Sequence, residues 1–207
     1  MRALLAGMLL VACAACESTP PPPDPVTQIP ALEGRIFEIV NETRHSIDPH
    51  AKDLALDSEL IQVARQRSAD MAAHNGFADG SGDPHISATR LMAEDAKFQG
   101  LLGENVAAAC YARTAGIDVD KSAQVIVGTW LSSPSHKENL SFGDYALTGV
   151  GVALSSDTIY VTQLFATNAA ANANSRVTDV KSFSSAAAAK ADAQKPGPAL
   201  RGGLGSR

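Results

Sequence analysis

The chain has 207 residues (21.5 kDa), 45% of them hydrophobic and 19% charged, and a formal net charge of −5. These values exclude a fibrous or wholly disordered protein and allow one domain of ordinary size. Residues 16–174 hold ten Lys and Arg against twenty Asp and Glu, a net −10, whereas residues 175–207 hold six basic residues against Asp179 and Asp192, a net +4. An acidic middle with a short basic end argues against nucleic acid as the main partner, because phosphate binding needs a basic face on the folded part.

Residues 1–16, MRALLAGMLLVACAAC, carry Arg2 and then an apolar run from Ala3 to Ala12. That run is well short of the roughly 20 residues that span a bilayer, so it reads as a secretory signal. Leu10-Val11-Ala12-Cys13 and Cys13-Ala14-Ala15-Cys16 both resemble the bacterial lipobox, whose last Cys is lipidated and becomes the mature N-terminus; an ordinary cleaved signal is the alternative. Lipid on Cys16 leaves Cys110 as the single thiol, and lipid on Cys13 leaves Cys16 and Cys110. Either way Cys110 is expected to be a buried free thiol, and the domain to rest on its hydrophobic core. Residues 17–30 are Pro-rich and are expected to form an extended spacer between membrane and domain. Residues 168–207 form an Ala, Ser, Gly and Lys tail with Phe183 its single aromatic, too little apolar surface to order itself.

Between them, residues 31–167 read as one domain. Leu32, Ile36, Ile39, Val40 and Thr43 share one helical face. Leu56, Leu60, Val63, Ala64, Arg67 and Met71 make a second, with Asp57 placed as its cap. A Gly- and Asp-rich loop over 76–83 precedes a helix near Ser87 to Ala96. Ala123, Ile126, Val127, Trp130 and Leu131 form a further helical face, capped by Asp118 or Asp120 and stopped at Pro134. Thr148–Leu154 and Thr158–Ala166 are rich in Val, Ile, Thr and Tyr and are joined by Ser155-Ser156-Asp157 as a hairpin; Val106–Cys110 is a further candidate strand. Helices first and strands last predict an α+β fold, helices packed on an antiparallel sheet.

Six segments occur in the order found in one family: Val40-Asn41-Glu42-Thr43-Arg44; Leu56-Asp57-Ser58-Glu59-Leu60; Ser87-Ala88-Thr89-Arg90-Leu91; Gly103-Glu104-Asn105-Val106-Ala107; Trp130-Leu131-Ser132-Ser133-Pro134-Ser135-His136-Lys137-Glu138-Asn139-Leu140; and Thr148-Gly149-Val150-Gly151-Val152 followed by Val161-Thr162-Gln163-Leu164-Phe165. Together they resemble the CAP superfamily of cysteine-rich secretory proteins, antigen 5 and pathogenesis-related proteins, in a bacterial, SCP-like form. The resemblance spans about 130 residues and neither the leader nor the tail. It implies an α-β-α sandwich with an antiparallel central sheet and a cleft lined by two His and two acidic residues.

By that resemblance Glu104 is one acidic cleft residue and His136 one cleft His. The second His, which bacterial relatives place two residues after the Phe, is replaced here by Asp79 after Phe77, and His85 is the substitute candidate. The second family Glu falls near Ser133 and is absent, and Glu138 lies on the far side of Pro134. Two imidazoles and a carboxylate could hold Zn²⁺ or another divalent cation on His85, Glu104 and His136. They could also move protons, or only hydrogen-bond a ligand. Ser133 stands at a nucleophile-to-base spacing from His136, yet Ser-Pro-Ser reads more simply as a helix end and turn.

Other polar residues carry plainer expectations. His45, His50 and His74 are solvated, Asn41 and Arg44 are structural, and Trp130 is core. Asp79 and Asp83 lack the closing Glu and spacing of an EF-hand Ca²⁺ loop. The expectation is therefore a lipid-anchored envelope protein that binds a lipid, glycan or peptide in a His/Glu cleft, with a metal-assisted or His/Glu hydrolase as the alternative. No catalytic residue follows from the sequence.

Overall fold

A computed structural model describes residues 21–77, 86–94 and 100–167. Residues 1–20 with Cys13 and Cys16, residues 78–85 with Asp79, Asp83 and His85, residues 95–99 and residues 168–207 lie outside the described residues. The folded region opens earlier than its composition suggests. Asp24 accepts from the Val26 amide and starts a 3-10 turn, Pro25–Gln28, which runs into α1, Ile29–Ile47. Residues 25–30, expected as the end of the spacer, are thus helical, because Gln28 clips both backbone groups of Ile117: its Nε2 donates to the carbonyl at 2.7 Å and its Oε1 accepts from the amide at 2.9 Å.

The remaining elements follow as β1 (Ala55–Leu56), α2 (Ser58–Ala73), α3 (Ile86–Glu94), β2 (Leu102–Cys110), α4 (Val119–Ser132), α5 (Pro134–Ser141), β3 (Tyr145–Ser155) and β4 (Thr158–Thr167). Asp57 caps α2 by accepting from the Glu59 and Leu60 amides, and Asp118, not Asp120, caps α4 by accepting from the Lys121 amide. Leu56, expected on the α2 face, instead lies in β1 and is half exposed. Pro134, expected as a stop, is also a start. It occupies the first turn of α5, where its missing N–H costs nothing and its fixed φ suits the helix.

The sheet order is β1-β3-β4-β2. The three long strands are antiparallel as expected, while the two-residue β1 adds a parallel pairing at the β3 edge, Ala55 with Leu147 and Leu56 with Thr148. Alternation along the strands divides the core between two faces. Val150, Val152, Ile159, Val161, Phe165 and Ala107 pack with α1 and α4 around Trp130, while Leu164 and Ala166 pack with Leu60, Val63 and Ala64 of α2. An irregularity between Tyr145 and Leu147 lets these two side chains join opposite faces. Each fully buried Leu, Ile or Phe contributes roughly 1.5–3 kcal/mol.

On the α2 face, Gly149 and Gly151 allow contact at backbone distance. A Cβ on Gly149 would overlap the backbone of Leu60 and Ile61, and one on Gly151 that of Ala64 and Arg65. Ser68 Oγ, fully buried, donates to the Gly151 carbonyl at 2.8 Å and so registers helix against strand. At the other end of the core, Arg44 Nη1 donates to the Leu140 and Phe142 carbonyls at 2.9 and 3.0 Å. Asn41 makes a two-way clip on the Leu54 backbone. Both are structural, as expected, and burial pushes the Arg44 guanidinium pKa down.

Candidate functional site

The site is built around β2, whose Gly-Glu-Asn segment sends successive side chains to opposite faces. Gly103 faces α5 and β3, where the Tyr145 hydroxyl and the Asn139 side chain fill the place a Cβ would take. Glu104 faces α2 and α3. Asn105 faces α5 again: its Nδ2 donates to the His136 carbonyl at 3.1 Å and its Oδ1 accepts from Asn139 Nδ2 at 2.9 Å. Asn139 Nδ2 also donates to the Glu104 carbonyl at 3.1 Å. The α5 helix is thereby stapled to the start of β2 through two buried amides, which hold the backbone carbonyls of Glu104 and His136, while the Glu104 side chain points to the other face.

The Trp-x-x-Ser-Pro-x-His segment explains its own spacing. Trp130 is fully buried at the end of α4, Ser133 is the cap residue of α5 with its carbonyl accepting from Lys137 N at 2.9 Å, and Ser135, His136, Asn139 and Leu140 form the buried side of α5. His136 is 2% exposed. Ser133 therefore serves as a helix start, with its Oγ 3.2 Å from Ser135 Oγ.

Glu104 Oε1 accepts from Ser87 Oγ on α3 at 3.0 Å and lies 3.4 Å from Arg67 Nε on α2. Arg67 is 4% exposed, and its Nη2 donates to the Phe77 carbonyl at 2.7 Å. A second pair, Arg90 Nη2 to Asp70 Oδ2 at 2.5 Å, ties α3 to α2 beside it. Sequence reasoning missed Arg67 as a site residue, although the signal was present: a full charge at an apolar position of the α2 face has to be paired where it is buried. Ser87, Asn105 and Asn139 stand inside the recognised segments, but their partners are set by tertiary contact.

These contacts bear on a metal. Among the described residues no three His, Cys, Asp or Glu side chains converge on one point. One oxygen of the Glu104 carboxylate, Oε1, faces the Arg67 guanidinium at 3.4 Å. The third expected ligand, His85, lies outside the described residues, so the set His85, Glu104 and His136 is not tested by them. The remaining histidines are at the surface: His45 Nε2 is 2.7 Å from Asp53, His74 Nδ1 is 2.8 Å from the Asp70 carbonyl, and His50 is exposed. Cys110 is a free thiol at the end of β2, half buried rather than buried as expected. Tyr145 stacks on Phe165, and burial, with a smaller effect of Glu138, pushes its pKa up to about 12.

No curated relative matches the chain. Among solved structures, an outer surface protein of Borrelia burgdorferi aligns with 21% identity and TM-score 0.52 over 67% of this chain and 93% of its own. An extracellular SCP-domain protein of Bacillus anthracis aligns with 28% identity and TM-score 0.52 over 73% of this chain and 45% of its own. A cysteine-rich secretory protein of Staphylococcus aureus aligns with 19% identity and TM-score 0.50 over 70% of this chain and 41% of its own. The chain thus spans under half the length of the latter two proteins. The sequence profile of the cysteine-rich secretory protein family, CAP, matches residues 37–165, more than half of the chain and the whole of the site, and the chain belongs to that family.

Proposed function

We propose that this CAP protein is secreted, held in the bacterial envelope by lipid on Cys16 or Cys13, and binds a lipid, glycan or peptide ligand at the Glu104–His136 site. The observation that carries the binding reading is the pairing of Glu104 with Ser87 and Arg67. A carboxylate fixed by a buried guanidinium is suited to present an oriented acceptor; a general base or metal ligand needs that oxygen available for a proton or cation. The localisation reading is supported by the short apolar leader and by the likeness to a protein described as extracellular in Bacillus. Among the described residues no helix is long and apolar enough to cross a membrane.

The test is native mass spectrometry of the full chain, purified gently from cells beside Glu104→Gln and His136→Ala. An adduct of organic mass, retained by the parent chain and diminished in both variants, is the expected result. A metal-sized increment lost in both variants contradicts the binding reading and makes metal-assisted hydrolysis the better account.

A further inference from the structure

The described elements fix which end of the domain the anchor can reach. The N-terminal segment enters against the Ala112–Asp118 turn, where Pro22 and Pro23 lie beside Gly116 and Gln28 clips Ile117. That turn adjoins the β3–β4 hairpin tip, since the Tyr111 amide donates to the Asp157 carbonyl. The site lies toward the other pole. Glu104 is near the start of β2, whereas Cys110 at its end pairs with Thr158 beside the hairpin tip. Likewise α1 begins at Ile29 near the anchor pole, and Arg44 near its end reaches the α5–β3 connection. The six steps along β2 from Glu104 to Cys110 cover about 20 Å, and the 19 residues of α1 about 28 Å.

We propose that the anchored protein stands on the pole made by the Ala112–Asp118 turn and the hairpin tip, and presents the β2–α5 site to ligands arriving through water rather than to lipids of the anchoring membrane. This rests on the lipid-anchor reading and narrows the ligand class of the same site. The reach of the chain limits the alternatives. From Cys16 to Pro22 is six residues, at most about 20–22 Å of extended chain, which is shorter than α1, so the domain cannot turn its far pole onto the bilayer. With Cys13 as the anchor, nine residues give about 30–32 Å, and inversion demands full extension. Lying flat is opposed by charge, because residues 16–174 carry a net −10 and are repelled by an anionic leaflet.

Three exposed lysines report the orientation: Lys121 at the start of α4 marks the anchor pole, and Lys52 and Lys137 mark the opposite one. The full lipidated chain is reconstituted into phosphatidylcholine vesicles with a minority of phosphatidylglycerol and a trace of lipid bearing an amine-reactive headgroup. Modification is read by peptide mass spectrometry and normalised to a soluble form of the same reagent. Lys121 is expected to react several-fold more than Lys52 and Lys137. Equal reaction, or preference for Lys52 and Lys137, overturns the orientation while leaving the anchor reading intact. A chain that carries no lipid on either Cys and does not stay with the vesicles overturns the anchor reading, and the inference with it.

Discussion

Where α2 covers the sheet, helix and strand approach until backbones touch; where α1, α4 and α5 cover it, Trp130, Phe165, Leu32 and Ile36 hold the layers apart. The first face is specified by two glycines with no side chain, and it buries polar groups such as Ser68 and Arg67 at short range. The second face is specified by bulk. The site uses both: Glu104 reaches into the α2 side and His136 belongs to α5, with β2 between them. Glu104 and His136 thus belong to opposite sides of the edge strand, the first beside the close-packed α2 and the second on α5.

The strongest way to break this contrast is Gly151→Val. The added side chain meets the Ala64 and Arg65 backbone, which cannot move without lifting α2, so the loss should exceed about 4 kcal/mol, read as a collapsed urea midpoint or an unfolded far-UV spectrum. Wild-type-like stability would show that α2 does not pack at backbone distance. A smaller effect probes the other face through pH. The Tyr145 pKa is raised from 10.0 to about 12, so the folded state favours the neutral phenol. That contribution, on the order of 2–3 kcal/mol, is complete below pH 10 and is lost as pH rises from 10 to 12. Urea unfolding across that window should show the decline, and Tyr145→Phe should flatten that part of it. The last change is a gain. Gly128 sits within α4 with open space around its Cβ position, so Gly128→Ala should stabilise by about 0.5–1 kcal/mol in the same assay.

Much of this architecture is legible in the sequence because its elements are locally consistent. The apolar spacing of α1, α2 and α4, the caps Asp57 and Asp118, and the Val-, Ile- and Thr-rich hairpin each follow from short-range rules. What escapes has tertiary causes. The two-residue β1 exists because Asn41 holds Leu54 and β3 offers a free edge. The first half of β2, Leu102 to Asn105, has little strand propensity of its own and is set by pairing with β4 and by the α5 amides. A proline that ends one helix and opens the next reads as a stop alone. In the site, Glu104 and His136 are marked by the family pattern, whereas Arg67 is hidden within an apolar stripe. The strand alternation that delivers Glu104 to Arg67 becomes visible only with the register.

The binding reading of the site turns on Glu104 being held by a guanidinium, not kept free for a proton or a metal. A double-mutant cycle in urea unfolding, with Arg67→Met, Glu104→Gln and the double variant, measures this directly. A coupling of about 1–3 kcal/mol between the two positions is expected, and losses that add to within about 0.5 kcal/mol would show that the pair does not hold.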